Sequence, residues 1–190
     1  MRYFWLLTVG LLLFSCKGES AHNDREQTVA PAQAADQAVS ASNSPVAVSQ
    51  PPLKLSGSYA KTSPGQEVCI TVSAANFSML LSMQYTMRWD PKVLTFKEVR
   101  NFGLPYLGPD SFGAHRTKEG ILTFVWIDND LKGVTVADGG ALYQVCFTAT
   151  GKAGQSSYFR FSGDPTALEV VNLAEKVIGL ETQDGGVKVQ

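Results

Sequence analysis

The residues able to do chemistry are few and poorly grouped. Three cysteines and two histidines are spread through 190 residues, too little material for a Cys/His catalytic pair or a closed zinc site. Asp128-Asn129-Asp130 gathers oxygen ligands, but it lacks the glycine and distal glutamate of a calcium-binding EF-hand loop and reads as a polar turn. His22 and His115 have no sequence-level partner, and nothing brings two of Glu98, Glu119, Asp110 and Asp128 together as glycosidase carboxylates. The expectation is a non-enzymatic protein without metal or cofactor. A net charge of -1 offers no bulk attraction for nucleic acid.

The third cysteine, Cys16, stands apart from the others. Arg2 precedes an apolar run from Tyr3 to Phe14 that is too short to span a bilayer and has the length of a signal-peptide core. Its end, Leu13-Phe14-Ser15-Cys16, resembles the bacterial lipobox, in which the cysteine is acylated after cleavage before it. Residues 1–15 are therefore expected to be a lipoprotein signal peptide. Cys16 would be the lipidation site, anchoring an exported chain to a bacterial outer membrane on its periplasmic or outer surface. Residues 16–52 hold no Phe, Tyr or Trp and are dominated by Ala, Ser, Gln and Pro, the composition of a disordered tether.

From residue 53 onward the pattern changes to short alternating strands. Val68, Ile70 and Val72 alternate with Cys69, Thr71 and Ser73, and Met83, Tyr85, Met87 and Trp89 alternate with Ser82, Gln84, Thr86 and Arg88. In Leu122-Thr123-Phe124-Val125-Trp126-Ile127 both faces are apolar. Tyr143, Val145 and Phe147 alternate with Gln144, Cys146 and Thr148, while Phe159 and Phe161 face inward between Tyr158 and Arg160. Ser63-Pro64-Gly65, Asp90-Pro91, Glu119-Gly120 and Asp138-Gly139-Gly140 supply the turns. Thr166 to Lys176 could hold a short helix or an extended loop. The expected class is all-β, an antiparallel sandwich of about nine strands.

The order of these motifs carries a resemblance. Pro64-Gly65-Gln66 leads into the Val68 strand. Trp89-Asp90-Pro91-x-Val93-Leu94-x-Phe96 ends the next, and Gly120-Ile121-Leu122-x-Phe124-x-Trp126 follows. Asp138-Gly139 comes before Leu142-x-x-Val145-Cys146-Phe147, and Gly186-Val187-x-Val189 closes the chain. The series resembles the cohesin domain, within the wider superfamily of cellulose-type carbohydrate-binding modules, across residues 53–190.

The resemblance implies a nine-stranded jelly roll and a protein partner, dockerin-like, recruited in polysaccharide degradation. The implied partner face uses Ser82, Gln84, Thr86 and Arg88 from the third strand. It takes Thr123, Val125, Ile127 and Asp128 from the sixth, and Tyr158 and Arg160 from the eighth. The third strand lacks the Asn and Asp that dockerin-binding type I cohesins carry there. The layout also makes the strands of Cys69 and Cys146 antiparallel neighbours, which permits a cross-strand disulfide; two free thiols packed as small hydrophobes are the other reading.

The alternative function is direct binding of a polysaccharide. Trp89 and Trp126 share parity with core residues, which leaves Tyr158 and the loop residues Phe102, Tyr106 and Phe112 for an aromatic platform.

Overall fold

The computed structural model describes residues 50–190. The expected signal peptide, Cys16 and the tether as far as residue 49 lie outside them. Residues 50–52, assigned to the tether by composition, are tied to the domain: the Gln50 amide donates to the Ser78 carbonyl at 2.7 Å and accepts from Asn172 at 2.9 Å.

Two mixed sheets pack face to face, and no α-helix occurs among the described residues. The first sheet joins β1 (Leu53–Gly57), β3 (Glu67–Ala75), β5 (Leu94–Arg100), β8 (Gly140–Ala149) and β11 (Leu180–Gln183) in the order β11-β1-β3-β8-β5. The second holds β2 (Tyr59–Thr62), β4 (Leu80–Arg88), β6 (Phe112–Gly113), β7 (Ile121–Ile127), β9 (Ser156–Ser162) and β12 (Gly185–Val189). Its order is β2-β12-β9-β4-β7-β6, and β10 (Glu169–Asn172) pairs with β4 where β9 has ended. The stretch Thr166 to Lys176 is thus strand and turn rather than helix.

Among the described residues twelve strands replace the expected nine, because two long strands are each broken where they change sheet and the two-residue β6 adds one more. The first gives β1 and β2, and the last gives β11 and β12. The halves travel together, β1 parallel to β11 and β12 parallel to β2, so the sheets are mixed where sequence alone suggested antiparallel pairing throughout. At the crossing the two backbones nearly touch. A Cβ on Gly185 would lie 2.5 Å from the Ser58 carbonyl oxygen and 2.7 Å from the Gly57 carbonyl carbon. Only glycine permits that approach.

The inward rows fill one continuous core. Trp126, Tyr85, Tyr143, Phe124, Phe147 and Phe159 are fully buried there with Ile70, Met83 and Leu53. The polar tips of the aromatic residues are satisfied in place. Tyr85 and Tyr143 share a hydroxyl contact of 2.6 Å, and the Trp126 and Trp89 indoles donate to the carbonyls of Pro105 and Leu94. Burial holds both tyrosine hydroxyls well above their ordinary pKa. Cys69 and Cys146 stand opposite each other on β3 and β8 and form a disulfide, with an S–S distance of 2.15 Å and a Cα–Cα distance of 4.0 Å.

Candidate functional site

Alternation on β7 places Phe124 and Trp126 in the core and turns Val125 and Ile127 to the opposite face. Among the described residues no strand or loop covers them, and they are 43% and 49% exposed. The pairing with β4 sets Ile127 beside Ser82, Val125 beside Gln84 and Thr123 beside Thr86. On the far side of β4, Val171 lies across from Ser82 and Glu169 across from Gln84. The result is an outer face with an apolar strip on β7 and polar residues on β4 beside it.

A loop extends this strip. Tyr106 is 51% exposed and holds a left-handed backbone, φ 60°, a conformation that costs a non-glycine residue of order 1 kcal/mol. Its ring shares a shallow depression of about 510 Å³ with Val125, Ile127, Leu107 and Asn129. A hydrogen bond to the Asp130 carboxylate pushes its phenol above the ordinary pKa. Strained backbone, an exposed ring and two exposed aliphatic side chains meet at one place.

Two expected contact residues are buried. Thr86 has the outward parity assigned to it, but the loop between β9 and β10 closes over it: Thr166 donates to the Thr86 hydroxyl at 2.9 Å, leaving no accessible surface. Asp128 is 2% exposed and turned into its own loop, where its carboxylate accepts the backbone N–H groups of Asp130 at 3.1 Å, Lys132 at 3.0 Å and Gly133 at 2.9 Å. The Asp128-Asn129-Asp130 turn is held by those bonds. The remaining residues of the set share the sheet but not one patch. Arg88 is drawn aside to Asp164, and Tyr158 and Arg160 lie on β9, with the guanidinium 5.3 Å from the ring centre.

The aromatic platform considered for sugars is not formed by the loop residues. Phe112 is 8% exposed and packs 5.0 Å from the Tyr143 ring, and Phe102 leans on Phe112. Only Tyr106 of the three stands out. The acidic side chains are likewise occupied: Glu98 pairs with Arg100 on the other sheet, and Glu119 with Arg116. Glu67, Cys69 and Cys146 are the only grouping with metal-ligand atoms close together among the described residues. The disulfide consumes both thiols there. Glu67 pairs with Lys97 and Arg100, and the hydrogen bond from Lys97 holds its carboxyl below the usual range.

The family model of the cohesin domain matches residues 53–159, more than half of the chain. The chain belongs to the cohesin domain family. Solved structures show the same fold at low identity. The type I complex of the OlpA cohesin with a dockerin, from Clostridium thermocellum, aligns with a TM-score of 0.63 at 13% identity, covering 74% of this chain and 100% of that one. CaCohA2 from Clostridium acetobutylicum gives 0.60 at 20% identity, covering 73% and 91%. A non-cellulosomal cohesin from the archaeon Archaeoglobus fulgidus gives 0.59 at 16% identity, covering 74% and 92%. No curated protein sequence matches the chain.

Sequence reasoning on this cohesin found the apolar strip through the double-sided hydrophobicity of β7. It gave Tyr106 no place beside that strip, because loop geometry carries no periodicity to read.

Proposed function

We propose that this cohesin is a non-enzymatic binding module that captures a protein partner on the outer face of β7, β4 and β10. The observation that carries the reading is the exposed pair Val125 and Ile127 on β7. An apolar strip with an exposed tyrosine and a polar margin has the make-up of a protein interface core and rim. The family supplies the partner class, a dockerin-like module, since related folds occur in complexes with dockerins. The lipidated Cys16 and the tether would hold the module at the bacterial surface, where polysaccharide degradation is the expected setting.

Titration calorimetry of the full chain against a panel of calcium-loaded dockerins tests the reading. At least one should bind, and Val125→Asp or Ile127→Asp should weaken it about 30-fold or more, the loss typical of a charge placed in an interface core. Equal affinity for the wild type and both variants would remove the face assignment. Failure of every dockerin would remove the partner class. Labelling cells with radioactive palmitate, with and without Cys16→Ala, tests the anchor separately.

A further inference from the structure

The same sheet carries a second feature two strands away from the apolar strip. On its outer face, Tyr59 of β2, Gly186 of β12 and Tyr158 of β9 stand in one lateral row. Two strand spacings set the tyrosine backbones roughly 9.5 Å apart. Neither ring is covered: Tyr59 is 66% exposed and Tyr158 56%. Gly186 between them leaves the floor bare, and a Cβ there would meet the Tyr59 ring at 3.2 Å and the Ser157 carbonyl oxygen at 3.0 Å. The next row is Lys61, Lys188 and Ser156. Together these residues line an open cleft of about 420 Å³.

Its charge is one-sided. The cleft walls hold two lysines and no carboxylate, although Lys+Arg and Asp+Glu number 13 each over residues 54–190. The acidic side chains nearby are occupied elsewhere: Asp184 faces Arg160 at 3.6 Å, Asp164 faces Arg88, and the Asp90 carboxylate accepts the Lys92 backbone N–H at 2.8 Å. Lys61 and Lys188 make no ion pair among the described residues.

We propose that this cleft binds an acidic saccharide, a uronic-acid-containing glycan, independently of the protein-binding strip. A tyrosine ring presents an apolar plate with a polar tip, which matches the C–H face of a pyranose and its equatorial hydroxyls. The Ser156 hydroxyl and the phenols bond to those hydroxyls, and the two ammonium groups meet the uronate carboxylate in charge-assisted hydrogen bonds. The volume falls within the range of small-ligand sites. An acidic peptide would pair with the free edge of β2 and meet the lysines, but it has no flat C–H face to set against the two tyrosine rings. A nucleic acid strand needs a continued run of cations along its phosphates, and two lysines do not make one.

Affinity electrophoresis and calorimetry of the full chain with oligogalacturonate test the assignment. Cellohexaose, poly-glutamate and oligo-dT serve as the other ligands. Oligogalacturonate should bind best, with affinity falling as salt rises. Tyr158→Ala and Tyr59→Ala should each weaken it about tenfold or more. Lys61→Gln with Lys188→Gln should abolish the preference over cellohexaose. All four residues are solvent-facing, and unchanged thermal unfolding would show that the variants fold. Val125→Asp should bind oligogalacturonate normally, so failure at one face is separable from failure at the other. The proposal is overturned by absence of oligogalacturonate binding, by unaltered binding in the tyrosine variants, or by equal or tighter binding of any of the other three ligands.

Discussion

Asp128 shows how far a single residue can depart from its expected role. Its place at the end of β7 suggested a contact residue, whereas its carboxylate gathers three backbone N–H groups and fixes the turn after the strand. Removing a charged acceptor from a buried site strands those donors. Asp128→Ala should therefore lower the unfolding free energy by about 2–3 kcal/mol in urea titration. Asp128→Asn, which keeps one acceptor oxygen, should lose less. Equal stability of Asp128→Ala and the wild type would show that water replaces the carboxylate at no cost. Thr86 teaches a related lesson. Parity assigns a side chain to a face of a sheet, and here it does so correctly. It says nothing of a loop from elsewhere in the chain that later covers that face.

At the level of elements, β3, β4, β7, β8 and β9 were legible because each has one face in the core and a period of two. The double apolar character of β7 was legible too. The sheet-changing breaks were not, because their cause is the approach of two backbones far apart in sequence. Gly57 and Gly185 look like ordinary small residues until they face each other. Gly185→Ala would force its Cβ into the Ser58 carbonyl and the Gly57 backbone. The expected loss is about 1–3 kcal/mol, the usual penalty for overpacking, and circular dichroism melts would measure it. Gly139→Ala is the control for the lost freedom of the chain. It has space for a Cβ but a left-handed backbone of φ 79°, so it should pay only the conformational cost. If Gly185→Ala proves the milder of the two, close approach is not what requires glycine at the crossing.

Across the whole molecule, the disulfide between β3 and β8 closes a sequence separation of 77 residues. That loop contains β4 and β7 and so the entire apolar strip. Restricting the unfolded chain in this way typically stabilises a domain by about 2–4 kcal/mol. Cys69→Ala with Cys146→Ala should lower the urea midpoint accordingly, and reduction of the wild type should have a similar effect. A midpoint that moves under neither treatment would show that the ladder between β3 and β8 alone sets the stability. The cohesin fold was legible at this scale from motif order. The mixed character of the sheets was not, since it depends on which strands pair.

The pinning of Gln50 and the position of β1 also settle how the domain meets mechanical load. A pull on residue 50 runs along β1, which is hydrogen-bonded to β3 on one side and β11 on the other. Both ladders must then slide lengthwise, with many bonds strained at once, instead of opening one by one. Any slack released ends at Cys69, where the force divides between two covalent routes, the main chain and the sulfur bridge to Cys146. Two of the three strands proposed to hold a partner, β4 and β7, lie within that closed ring. On the proposed reading, the β4 and β7 part of the partner face thus lies beyond the disulfide from residue 50.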